Sequence, residues 1–112
     1  MSSKGCMKSY SFIDLFAGCG GLSLGLSMAG LQGRFAIERD PMAFTTFQDN
    51  FLGERKIPVK PFLWPYWLRK QAWNIDDLLR EHLEDLKLLR GEIQVLAGGP
   101  PCQGFSFAGK RN

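Results

Sequence analysis

The stretch SFIDLFAGCGG, residues 11–21, decides how the rest of the chain is read. SFIDL at 11–15 is a short buried strand whose apolar run is interrupted by Asp14. It runs straight into a loop containing Gly18, Gly20 and Gly21, where a ligand can approach the backbone closely. Residues 22–29 then read as a helix with Leu22, Leu26 and Ala29 on one face and Gly30 as its stop. Gly25 inside that helix costs about 1 kcal/mol against alanine, which predicts close packing of helix on strand. A strand, a glycine-rich turn and a helix in this order present backbone N–H groups and a helix N-terminus to a nucleotide or a carboxylate. A plain tight turn is the competing reading of the same glycines.

The next elements narrow the choice. Residues 34–37 form a second short strand ending in Glu38, 20 residues after Gly18. From there a carboxylate accepts hydrogen bonds from ribose hydroxyls. The glycines do not complete G-x-G-x-x-G, because Ser23 stands where the third would fall. Together these features point to an adenosine ligand without a pyrophosphate.

Asp40 and Pro41 open another helix as N-cap and first residue, with Phe44, Phe47 and Phe51 at helical spacing for the core. Residues 57–73 break the regularity with three prolines and three tryptophans and read as a structured insertion. Lys56, Lys60, Phe62, Trp64, Tyr66, Trp67, Arg69, Lys70 and Trp73 interleave cations with rings, the composition of a nucleic-acid surface. The favoured expectation is instead a proline-braced loop that buries its tryptophans against the sheet edge.

Asn74 caps the clearest helix, with Ile75, Leu78, Leu79, Leu83, Leu86 and Leu89 as its apolar stripe. Asp76 and Asp77 lie in its first turn, Lys87 and Arg90 near its end, and Gly91 closes it. IQVLA at 93–97 is a further strand, entering Gly98-Gly99-Pro100-Pro101-Cys102. The alternation predicts an α/β fold, Rossmann-like, with a parallel sheet and ligands at the carboxyl ends of its strands. Cys102 then sits beside the nucleotide loop, its backbone fixed by two prolines. A lone cysteine after a strand is more often a small buried hydrophobe. The turn and glycine-containing loop around this one favour a catalytic thiol.

Bulk properties exclude several classes. The 112 residues suit one domain, and 45% hydrophobic with 22% charged residues is globular rather than disordered. No segment approaches the ~20 apolar residues of a membrane span. The first ten residues read as a polar leader without a secretory apolar core. Cys6, Cys19 and Cys102 form no C-x-x-C pair, which argues against disulfides or a metal and for a reducing, cytoplasmic compartment. A net charge of +3 leans only mildly toward polyanions.

Two long motifs resemble a known family. Phe12-Ile-Asp-Leu-Phe-Ala-Gly-Cys-Gly-Gly21 is similar to the first motif of the DNA cytosine-5 methyltransferases. Ala97-Gly-Gly-Pro-Pro-Cys-Gln-Gly-Phe-Ser106 resembles their catalytic motif, and Ala36-Ile-Glu38 with Asn50-Phe51 fits between them. The resemblance implies the methyltransferase fold over residues 11–112 and methyl transfer from S-adenosylmethionine to carbon 5 of cytosine in DNA. It implies that Phe16 packs on the adenine, that Gly18, Gly20, Gly21 and Leu22 line the methionine end, and that Asp14 serves the same pocket. Glu38 would hold the ribose. Asn74-Ile75 falls where the family commonly has aspartate and an apolar residue at the adenine amino group, and Arg39 where it often has an apolar residue. Cys102 would be the nucleophile. Pro101 would stand with the cofactor-binding residues and orient the target base. Gln103, Ser106, Lys110 and Arg111 would face nucleic acid.

A transfer-RNA cytosine-5 methyltransferase and a non-catalytic S-adenosylmethionine-binding module are the alternatives. The sequence stops after Gly109-Lys-Arg-Asn112 without a closing element, which reads as an interruption in the catalytic loop. Such a chain is expected to be inactive alone, and a complementary polypeptide is an expected partner beside DNA. In a bacterium the expected setting is restriction–modification, with the protein at the nucleoid.

Overall fold

A computed structural model describes residues 10–53 and 57–98. The order is β1 (Ser11–Asp14), α1 (Gly21–Met28), β2 (Gln32–Ala36), α2 (Pro41–Phe51), α3 (Ile75–Lys87) and β3 (Val95–Ala97). The strands form one parallel sheet in the order β2-β1-β3. Strand β1, the most apolar, is therefore central and pairs on both sides. This is the α/β architecture expected, with helices against both faces.

Alternation along the strands assigns the two faces, since successive side chains point to opposite sides. Phe12 and Ala36 face one cluster, built with Ala17, Phe44, Phe47, Phe51 and Phe62. Ile13, Phe35 and Ile37 face the other, with Leu68, Trp73 and Leu78. The phenylalanines of α2 stack on one another, with Phe47 and Phe51 centroids 4.7 Å apart. Phe62 meets Phe47 edge-on at 5.5 Å. Each such buried ring contributes on the order of 1.5–3 kcal/mol of transfer free energy.

Helix α1 differs from its sequence reading. Its buried residues are Ser23 and Ser27, while Leu22 and Ala29 are exposed. A Cβ at Gly25 would meet open space, so this glycine does not serve close packing on the strand. The cause is Asp14, which shares the face of Phe12 and buries a carboxylate that draws the Ser23 hydroxyl inward.

Helix α3 starts at the expected cap, where Asn74 Oδ1 accepts from Asp77 N at 2.7 Å. Ile75, Leu78, Leu86 and Leu89 pack on the sheet as expected. Leu79 and Leu83, each one position off that line, turn by about 100° into solvent. His82 occupies the buried line in their place.

The insertion follows the favoured expectation. Phe62, Leu68 and Trp73 are buried, and Trp64 and Trp67 are half-buried. The indole N–H groups of Trp64 and Trp73 donate to the carbonyls of Leu68 and Arg69. Leu63 N donates to Gly33 O at 3.0 Å, and the Gln32 amide donates to Pro61 O at 2.7 Å. The insertion thus covers the outer edge of β2, which would otherwise present unpaired backbone groups. Tyr66 is 99% exposed, with Arg69 and Lys70 also in solvent.

Candidate cofactor site

The loop after β1 is held by backbone bonds to both neighbouring strands. Leu15 N donates to Ala97 O of β3 at 2.8 Å. On the other side Ile37 N donates to Asp14 O at 2.8 Å, and Ala17 N donates to Ile37 O at 3.0 Å. The ends of all three strands meet at this loop, as a parallel α/β sheet requires of a ligand site.

Two carboxylates fasten the loop further. Glu38, just beyond β2, accepts from Gly18 N at 2.8 Å through Oε1 and from Asp40 N at 2.9 Å through Oε2. Asp14, fully buried, accepts from Phe16 N at 3.2 Å through Oδ1 and from the Ser23 hydroxyl at 2.7 Å through Oδ2. Burial pushes the Asp14 carboxyl above its usual range; the Ser23 and Phe16 hydrogen bonds oppose this, and the charge of Glu38 adds to it. A buried carboxylate without a cationic partner is costly, so Asp14 ties the loop to α1 from within the fold.

The glycines here have separable causes. Gly20 has φ +110°, and a Cβ on it would overlap the ring of Phe51. Core packing by α2 therefore demands that glycine, whatever the ligand. Around Gly18 and Gly21 a Cβ would meet nothing, which leaves room beside the loop. Helix α1 begins at Gly21 with no side-chain cap and no acidic residue in its first turn. Its N-terminus thus carries partial positive charge that no side chain of its own neutralises. Phe16 and Leu22 stand at the rim, 43% and 45% exposed.

Asn74 reaches the same edge indirectly. Trp73 N donates to Glu38 O at 3.0 Å and so sets the next residue beside the end of β2. Asn74 remains exposed, while Ile75 packs into the core cluster below. Asp14, Phe16, Gly18, Gly20, Gly21, Leu22, Glu38 and Asn74 are thus drawn to one edge of the sheet. Pro101, Cys102, Gln103, Ser106, Lys110 and Arg111 lie outside the described residues.

Three residues of this edge escaped the sequence reading. Ser23 and Ser27, one turn apart in an apolar helix, were the legible signal of a buried polar contact. Trp73 looked like insertion packing only. Gly98, with φ +127°, approaches the loop so closely that a Cβ would lie 2.9 Å from Phe16 N and 3.1 Å from Leu15 N. The chain leaving β3 toward Cys102 is therefore in contact with the cofactor loop.

Residues 10–112 match the family described as C-5 cytosine-specific DNA methylase. The chain belongs to this family. Type II methyltransferase M.PspPI of Psychrobacter sp. (strain TA137) is 37% identical over 93% of the chain and 20% of its own length. M.Sau96I of Staphylococcus aureus is 38% identical over 94% of the chain and 20% of its own length. M.HgiGI of Herpetosiphon aurantiacus is 39% identical over 89% of the chain and 65% of its own length. The chain spans about a fifth of the length of the first two relatives. No solved structure matches it significantly. Among the described residues of this C-5 methylase chain, no cluster of histidine, cysteine or acidic side chains fits a metal, and no helix is long and apolar enough to cross a membrane.

The family's cofactor, S-adenosylmethionine, agrees with the donor set at this edge. It offers hydroxyls to a carboxylate, a flat base to an exposed ring, and a carboxylate to free helix-terminal amides. Glu38, Phe16 and the start of α1 supply those partners.

Proposed function

We propose that the chain is the cofactor-binding and nucleophile-bearing part of an enzyme that methylates carbon 5 of cytosine in DNA. The observation that carries this reading is the Gly18–Glu38 hydrogen bond, which joins the glycine loop to the carboxylate at one sheet edge. S-adenosylmethionine, when bound there, supplies an electrophilic methyl group. Glu38 holds the ribose hydroxyls with the lone pairs left free by Gly18 and Asp40. Phe16 lies against the adenine, Asn74 accepts from its amino group, and the α1 amides at Gly21 and Leu22 receive the methionine carboxylate.

Carbon 5 of cytosine is a poor nucleophile, and Cys102 answers that difficulty. Its thiolate adds to carbon 6, which places electron density on carbon 5. After methylation, loss of the carbon 5 proton and expulsion of the thiolate restore the ring. Pro101 orients the base, which must leave the duplex at a cost of a few kcal/mol. Gln103, Ser106, Lys110 and Arg111 hold the surrounding DNA. The relatives' description as Type II methyltransferases supports a restriction–modification setting, within a bacterial cytoplasm at the nucleoid. A polypeptide that supplies the remaining length of those relatives is the expected partner.

The test is covalent trapping on DNA containing 5-fluorocytosine, using the complete enzyme. Cys102→Ser is expected to lose both trapping and methyl transfer, because a hydroxyl is far less ionised than a thiol at neutral pH. Cys19→Ser is expected to keep both. Trapping that persists without Cys102 would overturn the assignment.

A further inference from the structure

The buried line of α3 is apolar except at His82, which lies between Leu78 and Leu86. Its side chain is 17% exposed, and Nδ1 lies 3.1 Å from Asp85 Oδ2. Its ring centroid is 5.1 Å from that of Trp67 and 5.4 Å from that of Trp73. The α3 backbone leaves helical geometry at this residue, with φ −128° and ψ 24°. A leucine would fill the space without that distortion. Asp85 is the one charged group within hydrogen-bond distance of His82 among the described residues. From the insertion, the rings of Trp67 and Trp73 pack on it, and neither titrates.

Trp73 carries this contact to the sheet edge. Its indole N–H donates to Arg69 O at 3.0 Å, and its backbone N–H donates to Glu38 O at 3.0 Å. The next residue is Asn74. Movement of the Trp73 ring therefore reaches both groups assigned above to the adenosine.

We propose that His82 is a positioning residue for the adenosine end of the cofactor site, clamping Trp73 so that Glu38 and Asn74 stand together, and that its protonation tightens the clamp. The proposal rests on the cofactor reading above. An imidazolium within about 6 Å of two indoles gains cation–π attraction. It also makes a charge-assisted hydrogen bond to Asp85, stronger than that of the neutral ring. Histidine changes charge between about pH 5 and 8, so cofactor affinity rises as pH falls through that range.

The test titrates S-adenosylhomocysteine calorimetrically into the complete protein at about pH 6 and about pH 8, with tryptophan fluorescence over the same range. The wild type is expected to bind roughly threefold to tenfold more tightly at the lower pH, with indole emission quenched in one matching step. His82→Phe keeps a ring at this place, binds at the weaker level independently of pH, and loses the quenching step. Asp85→Asn moves both steps to lower pH; it leaves the histidine in place and carries the test if His82→Phe does not fold. Affinity that keeps its pH dependence in His82→Phe overturns the clamp, as does a fluorescence step with no change in affinity. Failure of the wild type to bind at either pH overturns the cofactor reading and this proposal together. Binding that His82→Phe leaves unchanged overturns this proposal alone.

Discussion

The backbone N–H of Gly18 donates to the Glu38 carboxylate at 2.8 Å, so the residue proposed to hold the ribose also shapes the glycine loop. Glu38→Ala is expected to cost more than the ribose contacts alone, because the loop loses an anchor. A hydrogen bond to a charged group contributes about 1.5–3 kcal/mol. Calorimetry with S-adenosylhomocysteine reads the loss. Glu38→Gln should recover part of it, since its carbonyl still accepts from Gly18. Equal binding by wild type and Glu38→Ala would remove Glu38 from the site.

Asp14 gives a pH signature. Burial raises its carboxyl in the folded state above the model value of 3.8, so the folded protein binds that proton more tightly than the unfolded chain. This contribution to stability is fully present below the unfolded value and is lost as pH rises through the raised folded value. Asp14→Asn removes it. Relative to wild type, the variant is expected to gain stability as pH rises from about 4 toward neutrality. Urea midpoints across that range are the measurement, and a constant difference would contradict the assignment.

Ser23→Ala leaves Asp14 Oδ2 buried without its hydroxyl donor. The expected destabilisation is about 1–3 kcal/mol. In the Asp14→Asn background the cost should be smaller, because the remaining acceptor is uncharged. Additive effects in this double-mutant cycle would argue against direct coupling.

Gly98→Ala forces a side chain against Phe16 N and Leu15 N at a positive φ. The strain is expected to cost about 1–3 kcal/mol and to displace the cofactor loop. Both thermal stability and S-adenosylhomocysteine affinity should fall. A loss of stability with unchanged affinity would show that the loop does not follow Gly98.

Phe62→Ala should be destabilising by about 3–5 kcal/mol, since its ring closes the cluster of Phe12, Phe47 and Phe51. Tyr66→Ala, at a fully exposed ring, should change stability by less than about 0.5 kcal/mol. Denaturant unfolding of the two variants compares them directly.

The order of strands and helices was legible because each depends on local chemistry. Asp40-Pro41 and Asn74 mark helix starts, and the alternation of Phe12, Ile13 and Asp14 marks a strand buried on both faces. The glycine loop and Glu38 were likewise legible, because a ligand edge on a parallel sheet places such residues at strand ends. Side-chain direction was not. Leu22 and Ser23 exchange places relative to the apolar reading because Asp14, a neighbour only in the folded sheet, needs a donor. His82 joins the buried line of α3 because Trp67 and Trp73, brought by the insertion, accept its ring. Gly98 meets Phe16 only when β3 lies beside β1. Helix caps and strand runs depend on neighbours a few residues away, so the sequence alone determined them. Contacts between residues 9 to 83 positions apart, from Ser23 with Asp14 to Ser11 with Gln94, follow from the packing of the sheet, and tertiary structure decided them.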